Sequence, residues 1–149
     1  MSWTDFYRRR DALDAALRAA ARDPAAPLAW DREVFGSRDE LVQALHHRWT
    51  QQLTGRLGVA LEDEDVDRVD TVTRTWRALA AEQPVLRAVL DAHLPAGGAA
   101  GEQRMLALTA GLAELSEPVA EITRVGAAFT ALIRGDLRAA APRGLAKSA

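Results

Sequence analysis

The sequence predicts an all-α protein, a helical bundle of about six helices, and three observations lead there. Alanine and arginine, both strong helix formers, supply 31 and 18 of the 149 residues, against two isoleucines. Apolar residues recur at three- and four-residue spacing through most of the chain, and no segment alternates apolar with polar as a half-buried strand does. Helix start and stop signals punctuate that pattern from end to end.

Taken in order, Ser2 followed by Asp5 forms a capping box, and the stripe Trp3, Phe6/Tyr7, Leu13, Leu17, Ala20 carries the first helix to about Arg22. Pro24 and Pro27 end it, because proline has no backbone donor and clashes with the preceding turn. Leu28 to Phe35 is at most a short turn of helix. Ser37-Arg38-Asp39-Glu40 is a second capping box, opening the run Leu41, Val42, Leu45, Trp49, Leu53, Leu57, with Gly55 and Gly58 weakening its last turns. Glu62-Asp63-Glu64-Asp65 is expected as the acidic first turn of a third helix, whose stripe Val66, Val69, Val72/Thr73, Trp76, Leu79/Ala80 reaches about Glu82. Pro84 suits a first helical position ahead of Val85, Leu86, Val89 and Leu90. After the break at Pro95-Ala96-Gly97-Gly98, Met105, Leu108, Leu112 and Leu115 form a narrow seam of coiled-coil type. Ser116 or Glu117-Pro118 begins the last helix, which carries Val119, Ile122, Val125, Phe129, Leu132 and Ile133.

Residues 1–137 are expected to form a single helical domain and residues 138–149 a frayed tail. A chain of this length buries about 68–70% of its unfolded surface without staples. It has no cysteine, which excludes disulfides, thiolate metal sites and cysteine nucleophiles. The net charge of −2 provides no global basic field for nucleic acid or anionic lipid. Only the middle third is skewed: residues 61–94 hold four arginines against eight carboxylates. No apolar run approaches a membrane span and the N-terminus does not read as a secretory signal, so the expected compartment is the cytoplasm. The alanine and arginine bias resembles that of proteins from GC-rich bacterial genomes.

Most candidate sites fail on spacing. His46 and His47 are adjacent, about 100° apart on a helix, and lack the i, i+4 partner of helical zinc sites, so they are expected as surface or cap residues. Asp63, Asp65 and Asp67 have Arg68 where a calcium loop needs glycine and Arg74 where it needs a bidentate glutamate. Asp70 and Arg74 are instead spaced as a helical ion pair. Arg8-Arg9-Arg10 lies among Asp5, Asp11 and Asp14, as a solvated face does. No phosphate loop, nucleophile elbow or acid–base motif is present, so neither catalytic residue, metal nor cofactor is expected. Trp49 and Trp76 fall on the apolar stripes of two long helices. They pack the core, or, with Thr73 and Leu45, line a pocket for a small apolar ligand. The closing helix has almost no polar face between Val125 and Ile133, so it is buried within the protomer or meets a second one through Val125, Phe129, Leu132 and Ile133. Gly126, Ala127 and Ala131 would allow a close backbone approach.

Val34-Phe35-Gly36-Ser37-Arg38-Asp39-Glu40-Leu41 resembles the junction of tetracycline-repressor (TetR) family regulators, where an aromatic stretch and Ser-Lys-Glu-Leu-like residues lead from the DNA-reading head into the ligand-binding helices. Phe35, Ser37, Arg38, Glu40 and Leu41 carry the match. Phe6 to Ala21 stands where the family has its first helix, and Pro84-Val85-Leu86-Arg87 looks like a turn of its ligand domain. The resemblance implies a homodimer formed by the last two helices. Between Asp23 and Val34, however, about ten residues with two prolines replace the two helices of a helix-turn-helix.

These features lead to a non-enzymatic homodimer resembling a TetR ligand-binding and dimerisation domain, which binds a small apolar ligand or a protein. One alternative is a DNA-binding regulator with an abbreviated head using Arg8, Arg9, Arg10 and Arg32. The other is a protein–protein adaptor presenting the acidic Glu62–Asp70 face.

Overall fold

The computed structural model describes residues 2–135, and over that range the chain is all-α, with six helices and no strand. They are α1 (Trp3–Ala20), α2 (Arg38–Ala60), α3 (Arg68–Glu82), α4 (Pro84–His93), α5 (Ala100–Thr109) and α6 (Val119–Ile133). The tail expected from Arg138 lies outside the described residues. No helix among them is long and apolar enough to cross a membrane.

Local chemistry sets most of the boundaries. The Ser2 hydroxyl accepts the Asp5 N–H at 3.1 Å, and the Ser37 hydroxyl accepts that of Glu40 at 3.2 Å. Glu40 turns its carboxylate back onto the Gly36 N–H at 2.8 Å, one residue earlier than a standard capping box. Between α1 and α2 there is no helix, only isolated turns such as the one Asp31 holds by accepting the Glu33 N–H at 2.9 Å. Pro84 opens α4 as expected.

Two elements depart from expectation. The acidic run Glu62–Asp65 precedes α3 as a turn, with the Asp63 carboxylate accepting the Asp65 N–H at 2.9 Å. The helix begins at Arg68, capped by Asp67, whose carboxylate accepts the Asp70 N–H at 3.1 Å. An aspartate that bonds its own backbone competes with helix, which explains the later start. The seam Met105, Leu108, Leu112, Leu115 does not exist, since α5 ends at Thr109. Gly111 takes φ +75°, and Leu112 N–H bonds to Ala107 C=O while Gly111 N–H bonds to Leu108 C=O, the pairing of a Schellman stop. Leu112 and Leu115 therefore lie beyond the helix, 43% and 85% exposed.

The chain divides into two compact units. The first joins residues up to Gln52 with Ala80–Pro95; Leu13 and Ala16 of α1, Leu41 and Leu45 of α2, and Leu86 and Val89 of α4 supply its core. Trp3, Phe6 and Tyr7 do not join that core as the stripe suggested: they remain exposed and pack on one another, with Trp3 and Tyr7 stacked at 6.1 Å. His93 is buried in the last turn of α4, with Nε2 2.9 Å from the carbonyl of Pro24. The second unit joins Leu53–Leu79 with the described residues from Ala96. There α5 and α6 pack together, with Ala107, Ala113 and Ile122 at the contact and Leu108 and Val125 against them. Burying one such aliphatic side chain stabilises the fold by about 1.5–3 kcal/mol.

Candidate functional site

The four residues expected to line a ligand pocket divide between the units. Leu45 and Trp49 belong to the first, and neither exposes any surface. The Arg87 guanidinium lies over the Trp49 ring at 4.6 Å. Thr73 and Trp76 belong to the second, where the Thr73 hydroxyl is occupied with its own helix, donating to Val69 C=O at 2.7 Å. Trp76 is 4% exposed, donates Nε1–H to the buried carboxylate of Glu102 at 3.3 Å and lies under Arg134 at 5.3 Å.

An open groove of about 890 Å³ lies wholly in the first unit, between α1 and α2. Neither tryptophan lines it. Its two walls share one helical period. On α1, Phe6, Arg9, Arg10, Leu13 and Asp14 fall at i, i+3, i+4, i+7 and i+8. On α2, Glu40, Gln43, Ala44, His47 and Arg48 repeat that spacing, and Gln51 and Gln52 extend it. Phe6, Leu13 and Ala44 give the groove apolar surface, while arginines, amides and a histidine give it polar donors.

Its charges are partly spent within the protein. Arg48 closes an ion pair with Asp14 at 2.6 Å and reaches the Arg10 carbonyl at 3.4 Å. Glu40 is engaged at its cap, and Arg10 pairs with Asp11 at 3.4 Å and lies over Tyr7 at 4.8 Å. Arg9 rests over the buried Phe35 ring at 4.9 Å. His47 is exposed on the groove. This is an aromatic and cationic cleft of the size that holds a small molecule, roughly 300–1,000 Å³.

The remaining candidates resolve locally. Among the described residues no group of three or more His, Asp or Glu side chains is placed to hold a metal ion. Asp70 pairs with Arg74 at 2.9 Å, as their spacing predicts. Of the arginines proposed for DNA, Arg8 pairs with Glu33 at 2.7 Å and Arg32 lies over Trp30 at 4.6 Å, so all four, with Arg9 and Arg10, already have intramolecular contacts. Of the residues proposed for a dimer, Phe129 and Ile133 are buried at 4% and 1%, Val125 packs on the α5–α6 contact, and Leu132 is 51% exposed. Gly126 allows a close approach within the unit: a Cβ there would lie 2.1 Å from the Gln103 carbonyl oxygen of α5.

No protein-family model matches the chain, and no curated protein or solved structure matches it significantly.

Proposed function

We propose that this is a non-enzymatic binding protein whose α1–α2 groove holds a small molecule with an apolar body. The groove itself carries the reading: about 890 Å³ lined by Phe6, Leu13 and Ala44 beside polar donors. The helix order and the Phe35–Leu41 junction support a relationship to the ligand-binding part of TetR-type regulators, and the helix-free stretch between α1 and α2 departs from that family by holding no DNA-reading helices. Ligand then enters beside the aromatic cluster of α1 and leaves the Trp49 and Trp76 cores closed.

Binding of N-phenyl-1-naphthylamine, followed by its fluorescence, tests this. Phe6→Ala should weaken binding at least tenfold and Thr73→Ala should leave it unchanged. The opposite pattern would return the site to the Trp76 stripe.

Self-association is a second reading, favoured by the exposure of Leu112, Leu115, Val119 and Leu132 at 43%, 85%, 64% and 51%. Sedimentation equilibrium should show a dimer that Leu115→Asp with Leu132→Asp converts to monomer. A wild-type monomer at micromolar concentration would dispose of it.

A further inference from the structure

Resting on the groove as the binding site, we infer that its ligand is an anionic amphiphile, one negatively charged group on an apolar body, with Arg9 supplying the charge that selects it. Both carboxylates that line the groove are engaged, Asp14 with Arg48 at 2.6 Å and Glu40 with the Gly36 N–H at 2.8 Å. Arg10 has the Asp11 carboxylate at 3.4 Å. Arg9 differs from both other arginines of the groove. Its contact is the face of Phe35 at 4.9 Å, and it forms no ion pair among the described residues. A ring quadrupole attracts a cation without neutralising it, so the Arg9 charge remains available to a ligand. The guanidinium offers several fixed N–H donors, a geometry suited to an oxyanion.

Two further groups favour a polar head. His47 presents an exposed imidazole on the same groove. The Gln52 amide oxygen is shielded from solvent and accepts no hydrogen bond among the described residues, and its amide can turn either end to a ligand. Phe6, Leu13 and Ala44 take the apolar body. A neutral ligand would leave the Arg9 charge uncompensated beside apolar surface, and a cation would be repelled by it.

Titration calorimetry with decanoate, decanol and decyltrimethylammonium, each below its micelle concentration, tests the inference. Decanoate should bind at least tenfold more tightly than decanol, and the cation more weakly still. Arg9→Gln should cost about tenfold toward decanoate with decanol unchanged, and Arg9→Lys should restore most of it, with thermal melts reporting on folding. Equal binding of the three chains, or an Arg9→Gln variant that keeps its preference, would overturn anion selection; the groove would still stand if Phe6→Ala weakened all of them. Absence of binding by all three, or binding indifferent to Phe6→Ala, would remove the groove reading and this inference together.

Discussion

The Nε–H of Arg77 donates to the carbonyl of Ile133 at 2.7 Å, and its Nη2 reaches the carbonyl of Leu132 at 3.3 Å. One side chain of α3 thus closes the C-terminus of α6, whose last carbonyls lack partners within the helix. Arg68, at the other end of α3, does the same for α5 through Thr109 C=O at 2.9 Å. Both place positive charge at the negative end of a helix dipole.

Replacing Arg77 by methionine keeps the aliphatic stem and removes these donors. The expected loss is about 1–2 kcal/mol, the worth of a charge-assisted hydrogen bond at a partly buried site. Urea denaturation should show it as a lower midpoint at unchanged slope.

Gly126 and Gly58 should respond to alanine with opposite signs. At Gly126 the added carbon would lie 2.1 Å and 2.4 Å from the Gln103 carbonyl oxygen and carbon, so α5 and α6 must separate. The expected cost is about 1–3 kcal/mol or more. At Gly58, inside α2, an added Cβ would meet nothing within 4 Å beyond its own helix among the described residues, and alanine should stabilise by about 0.5–1 kcal/mol through helix propensity. Denaturation midpoints of the two variants should bracket the parent.

Trp76→Phe removes the donor that faces Glu102, a carboxylate 6% exposed. A loss of about 1–3 kcal/mol is expected, because a buried charged acceptor is left less satisfied. Acrylamide should quench Trp3, 76% exposed, and hardly reach Trp49 or Trp76.

Glu121 accepts from both Nε and Nη2 of Arg124, at 3.1 Å for the first, and that hydrogen bonding holds its carboxyl below the ordinary glutamate value. A lowered folded-state value means the stabilisation is present above the unfolded pKa and fades as pH falls through the folded one. Carbon-detected NMR titration should find the Glu121 midpoint depressed, and Arg124→Gln should return it toward the ordinary value. Because the pair lies at the surface, where solvent screens it, global stability should barely follow.

Much of the helix map was legible because its signals are local. Leu41, Leu45, Trp49, Leu53 and Leu57 recur at four-residue spacing and are all buried. The capping hydroxyls of Ser2 and Ser37, and Pro84 at a helix start, act within one turn of themselves. Where two local readings competed, spacing misled. Gly111 stopped α5 inside a plausible leucine seam, and Asp63 and Asp67 bonded their own neighbours and delayed α3.

The groove was half legible. Phe6–Arg9–Arg10–Leu13 and Glu40–Gln43–Ala44–His47 each announce one helical face, but spacing within a helix does not say which face meets which. The sequence by itself determined an all-α chain, the capping serines of α1 and α2 and the apolar stripe of α2, since these depend on residues within a turn or two of each other. Only the tertiary structure decided that the Trp49 ring is covered by Arg87, that Gly126 seats Gln103, and that Arg9 rests on Phe35 with no ion pair among the described residues. Those pairings join residues that are far apart in sequence, and packing alone selects them.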